Sequence, residues 1–78
     1  MNEQSQKSLK KAYSLISEAK AIIEELLREH QGRLDDISEN AQATERGETL
    51  QDLVSDLDRI RDKLENVSEA IGDIVEST

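Results

Sequence analysis

Residues 50–75 read LQDLVSDLDRIRDKLENVSEAIGDIV, and their spacing decides the fold. Leu50, Leu53, Leu57, Ile60, Leu64, Val67, Ile71 and Ile74 recur at alternating steps of three and four, the pitch of one face of an α-helix. Val54 and Val75 widen one edge of that row, while Asp56, Arg59, Arg61, Asp62 and Lys63 spread mixed charge over the other faces. Gly72 falls off the row near its end, where it costs roughly 1 kcal/mol against alanine.

Upstream, Leu9, Ala12, Ile16, Ala19, Ile23, Leu26 and His30 repeat the same alternation, flanked by Leu15, Ile22 and Leu27. A stripe this broad meets more than one neighbouring helix, as in a bundle. Proline is absent and glycine stands only at positions 32, 47 and 72, so nothing blocks two long helices. Between them residues 32–43 form a polar segment opened by Gly32, a residue suited to ending the first helix. The expected layout is one domain over 1–78, with helix one over about 4–31, a loop over about 32–43 and helix two over about 44–76. Ser38 can cap one extra turn through Gln42. Thr44 followed by Glu45 is the expected entry to helix two, with Thr49 and Asp52 as a later alternative.

Charge indicates how the helices lie. Lys7, Lys10 and Lys11 sit at the start of helix one and Glu69, Asp73 and Glu76 at the end of helix two, each the end its helix dipole disfavours. Antiparallel pairing sets each cluster beside the other and predicts an all-α, antiparallel helix–loop–helix hairpin of coiled-coil character. A chain of 78 residues buries a limited share of its surface, and the apolar burial open to a lone hairpin falls short of the entropy of ordering it. Dimerisation to a four-helix bundle is therefore expected. Its self-association core would comprise Leu9, Ile16, Ile23 and Leu26 of helix one with Leu50, Leu53, Leu57, Ile60, Leu64, Val67, Ile71 and Ile74 of helix two.

Composition removes whole classes of function. With no cysteine, disulfides, Cys-ligated zinc, iron–sulfur clusters and thiol chemistry are excluded. No apolar run approaches the ~20 residues that span a bilayer, and the opening Met1-Asn2-Glu3-Gln4-Ser5-Gln6 lacks the basic and apolar regions of a secretion signal. The expected location is cytoplasmic, with no membrane partner. Net charge is −8, from 18 acidic and 10 basic residues, and Tyr13 is the one aromatic. Direct nucleic-acid binding, which draws on a basic surface and on stacking, is disfavoured on both counts.

Glu24/Glu25 and Asp35/Asp36 are adjacent carboxylates on a charged surface, and two helices of this length offer no pocket to shift a pKa for acid–base work. His30, the one histidine, continues the first apolar row at its C-terminal end, where it complements the dipole or covers the end of a bundle. Di-metal bundles place a Glu three residues before a His, a position held here by Leu27. A calcium loop beginning at Asp36 finds Ser38 and Asn40 in place, but Ala41 stands where the turn glycine belongs and Gly47 where the bidentate Glu belongs. No catalytic, cofactor or metal site is expected, and the chain reads as a non-enzyme.

The acidic centre is more informative. Residues 35–58 hold eight acids and a single base, Arg46. Part of that charge is accounted for by a solvated loop and by acids favoured near a helix N-terminus. The rest suggests a docking surface for a basic protein through Asp35, Asp36, Glu39, Glu45, Glu48 and Asp52. Here the run Asp35-Asp36-Ile37-Ser38-Glu39-Asn40, with Gln42 and Thr44-Glu45-Arg46-Gly47-Glu48 ahead of the heptads, resembles a group of short bacterial and phage helical-hairpin proteins with no assigned activity. The resemblance spans roughly residues 34–75, departs at Ser38 where that group often carries proline, and implies a mobile-element origin. In layout the chain is also similar to the Rop-like dimers, two hairpins forming a four-helix bundle. Those bind RNA through a basic face that is missing here, so the likeness implies layout alone.

The expected function is a small homodimeric protein–protein interaction module acting through an acidic loop and its helix faces. The alternative is a phage or mobile-element inhibitor that binds a basic nucleic-acid-handling protein, its acids standing in for a nucleic-acid backbone.

Overall fold

The computed structural model describes residues 2–37 and 44–77, apart from the side chain of Glu45. They form two helices, α1 (Glu3–Asp36) and α2 (Glu45–Ser77), and no strand occurs among the described residues. The start of α1 is capped by Asn2, extended in backbone, whose Oδ1 accepts the Ser5 N–H at 2.7 Å. That bond satisfies one of the four N–H groups a helix start leaves open, and Glu3 in the first turn suits the dipole.

Gly32 does not end α1, contrary to its expected role. The helix runs on to Asp36, because no described glycine adopts the positive φ of a glycine cap. Two gains offset its cost: Arg33 pairs with Glu29 one turn back at 2.8 Å, and Leu34, one heptad after Leu27, is half-buried. The helix ends at Ile37, extended, its N–H bonded to the Leu34 carbonyl at 3.2 Å. An extra turn from Ser38 to Gln42 lies outside the described residues. Thr44 opens α2: its Oγ1 accepts the Gly47 N–H at 3.4 Å and its carbonyl the Glu48 N–H at 2.9 Å. The later start at Thr49 or Asp52 is not used.

The helices pack antiparallel as a hairpin. Lys20 Nζ lies 3.7 Å from Glu65 Oε1, and a Cβ built on Gly72 would stand 3.9 Å from the Tyr13 ring. These two contacts fix the register, in which each step along α1 matches one step back along α2. Among the described residues Lys20–Glu65 is the ion pair that joins the helices. Lys7, expected to face the acidic end of α2, pairs instead with Glu3 on its own helix at 3.8 Å. The result is a rod whose Cα atoms span 58 × 14 × 14 Å.

Between the helices, α1 contributes Leu9, Ala12, Ile16, Ala19, Ile23, Leu27 and Leu34, and α2 contributes Leu50, Val54, Leu57, Leu64, Ile71 and Val75. Leu27 and Leu57, level with each other and nearer the loop end than the open end, are 4% and 7% exposed, and no other described apolar side chain is buried. The row expected as one seam is therefore split. Leu50, Leu57, Leu64 and Ile71 stay on the intrachain face, while Leu53, Ile60, Val67 and Ile74 turn away from it and are 40–46% exposed. In their place the row Val54, Arg61, Ser68, Val75 lies on the side towards α1. The small residues Ser68 and Gly72 leave room there for Tyr13, which a bulkier row would exclude. On α1 the corresponding change is at Leu26, which is exposed while Leu27 takes the buried position.

Candidate interaction surface

Seven residues of helix advance two turns almost in phase, so Leu53, Ile60, Val67 and Ile74 form one straight row along α2. On α1, Leu15 and Ile22 are likewise one heptad apart, with Leu26 beside them, and all three are exposed. The two sets lie on the same broad face of the hairpin. Arg33, one heptad beyond Leu26, shares with Leu53 an open groove of about 810 Å³ at the loop end. The opposite broad face holds a polar groove of about 540 Å³, lined by Tyr13, Lys20 and Glu24 from α1 and by Glu65 and Gly72 from α2. The molecule thus has one polar broad face and one bearing seven exposed large apolar side chains. A strip of that size on so small a chain marks a contact surface rather than ordinary scatter.

Electrostatics sharpen the contrast. Half-buried Arg61 donates to Asp58 and to Asp62, the latter at 3.2 Å. The bond to Asp62 chiefly, with the charge of Asp58 adding to it, holds its guanidinium above its ordinary value. It is a fixed cation that tethers the edge of α2, with no part in proton transfer. Arg59 is similarly occupied by Asp56 on its own helix. His30 is half-buried at the loop end, where its Nδ1 is enclosed without a hydrogen-bond partner, and it lines the same groove as Arg33 and Arg46. Among the described residues no group of three His, Cys, Asp or Glu side chains is placed to hold a metal ion. No helix among the described residues is long and apolar enough to cross a membrane.

The acids expected to dock a basic partner are spread out. Asp35, Asp36, Glu48 and Asp52 are exposed near the loop end on the flanks of both helices, Asp35 and Asp36 pointing about 100° apart. Glu39 and the side chain of Glu45 lie outside the described residues. Arg33 and Arg46 interrupt the acidic field on the apolar face. The division of the apolar residues into a buried row and an exposed strip was missed from the sequence. Its signal was there in Leu15, Ile22 and Leu26, which flank the α1 row on one side only.

Compared with known proteins, the chain matches no family model, no curated protein and no solved structure.

Proposed function

We propose that the chain is a small, non-enzymatic interaction module whose working part is the apolar broad face, with its acidic loop end as a second contact for a basic protein. One observation carries this reading: Leu15, Ile22 and Leu26 with Leu53, Ile60, Val67 and Ile74 line a single face of a hairpin that fully buries only two apolar side chains among its described residues. A lone hairpin wastes that surface, and a partner helix would remove it from water at about 25 cal/mol per Å². The acidic end supports recruitment of a basic protein more than imitation of a nucleic acid. Its described acids diverge round two helices, whereas phosphates follow one track.

The test uses the immobilised chain as bait, compared with an Ile60→Lys/Val67→Lys variant. Both positions are exposed in the hairpin, so helix content by circular dichroism should be kept. The module reading expects a stoichiometric partner, a second copy or another protein, held by the parent and released by the variant. Identical retention by both baits would overturn it. A variant with Asp35, Asp36, Glu48 and Asp52 neutralised should, in parallel, hold a basic partner more weakly and with a flatter dependence on salt.

A further inference from the structure

We infer that the occupant of the apolar face is a second copy of this chain, packed face to face with both loop ends at the same end of a four-helix bundle. This rests on the interaction-module reading and names its partner. Three observations converge on it.

The first is area. The chain exposes 5799 Å², whereas a compact monomer of 8.8 kDa exposes about 4,800 Å². The excess of roughly 1,000 Å² matches the ~800 Å² that each partner gives to a stable interface.

The second is shape. The strip is straight, runs for about 32 Å along α2 from Leu53 to Ile74, and is made of branched aliphatic side chains at heptad spacing, which is what a helix pair of the same kind fits.

The third is charge, and it selects the orientation. Along the outer rim of the apolar face α1 reads basic, acidic, acidic, basic at Lys11, Glu25, Glu29 and Arg33, all exposed. At the levels of Glu25, Glu29 and Arg33, set by the Lys20–Glu65 and Tyr13–Gly72 contacts, the rim of α2 carries Lys63, Arg59 and Asp52, the reverse signs, while Asp73, level with Lys11, lines the polar groove on the other face. Within one chain these rims are the two far edges of the face and do not meet. A twofold axis parallel to the helices lays α1 of one copy over α2 of the other and keeps every residue at its own level. Glu25 and Glu29 then bracket the second copy's Arg59 with Lys63 alongside, and Arg33 faces its Asp52. Of the remaining charges, Glu18 meets uncharged Asn66, Asp36 comes level with uncharged Thr49, and Asp56 is already held by Arg59. Every neighbouring helix pair in this bundle is antiparallel, which also opposes the dipoles.

The other face-to-face twofold, perpendicular to the helices with the loop ends apart, lays α1 on α1 and α2 on α2. With full overlap it sets Lys11 near Arg33, Glu18 near Glu25, and Lys63 near its own copy. Like charges meet, so this arrangement is rejected.

The experiment measures mass and orientation together on the full chain. Light scattering should give a dimer, twice 8.8 kDa, for the parent. The chain has no cysteine, so a single Asp35→Cys supplies one spin label near the loop end. The label pair in the dimer should lie within about 30 Å, against a separation approaching the 58 Å rod length if the loop ends are apart. Reversing Arg59 and Lys63 to Glu should raise the dimer dissociation constant about tenfold, and adding Glu25→Lys with Glu29→Lys should restore it. A dimer with distant labels, or a charge swap without rescue, overturns this packing and leaves the module reading standing. A monomer at every concentration overturns the second copy as partner, and the bait comparison then decides the module reading by itself.

Discussion

Leu27 and Leu57 are the best-buried side chains of the hairpin, and their burial sets the largest single-residue effects. Truncating Leu27 to alanine should cost about 2–4 kcal/mol, read as a lower denaturation midpoint, because a site flanked by two helices can relax only partly into the space left. Leu57→Asp should remove cooperative thermal unfolding altogether, since it buries a charge among apolar side chains while the cation one turn on, Arg61, is already engaged by Asp58 and Asp62; a variant that melts like the parent would show that Leu57 is not in the packed row. The glycines act in the other direction. A Cβ at Gly32 meets nothing within 4 Å and one at Gly72 only touches Tyr13, so Gly32→Ala and Gly72→Ala should each raise stability by about 0.5–1 kcal/mol in chemical denaturation. Gly32 also shows a limit of local reading. Its type suits a helix end, but Leu34 and the Glu29–Arg33 pair beyond it reward two further half-turns of helix, and that reward depends on a partner helix that local spacing does not display.

For each helix, existence, direction and approximate extent were written in the three–four alternation and the misplaced end charges. The rotation of each helix about its own axis was not. Two rows on α2, 53/60/67/74 and 54/61/68/75, sit on either side of the shared 50/57/64/71 row, and the first is the more apolar. The hairpin nevertheless turns the second towards α1, because Tyr13 needs the small Ser68 and Gly72, and Lys20 reaches Glu65 on that side. Apolarity alone ranks the rows wrongly; the fit of side-chain sizes across the pair ranks them as found. The capping bonds can be tested at this scale. Thr44→Ala removes the acceptor for the Gly47 N–H and should cost about 0.5–1 kcal/mol, at the low end for a cap because the bond is long at 3.4 Å; ellipticity at the helix minimum during a melt reads it.

At the scale of the whole molecule, a layer one helix deep cannot enclose its own apolar surface. Two fully buried apolar side chains among the described residues, set against seven exposed in one strip, tie its stability to whatever lies on that strip. If the occupant is a second copy, folding and association are a single equilibrium, and a hundredfold rise in concentration should lift the melting temperature by roughly 5–10 °C. Scanning calorimetry across that range checks it, and a midpoint independent of concentration would show that the hairpin melts alone. The acidic loop end is less legible than the strip, since its acids crowd together along the chain but diverge in space, with Arg33 and Arg46 between them.

The 58 × 14 × 14 Å outline has a practical corollary. Helical N–H bonds point along their axis, so the amide vectors of both helices lie nearly parallel to the long dimension of a rod about four times longer than it is wide. In nuclear spin relaxation such vectors sense end-over-end tumbling and are blind to spinning about the long axis. The amides of both helices should therefore share one nearly uniform transverse relaxation rate, higher than a sphere of equal mass would give, and a residue that departs from it reports fraying directly.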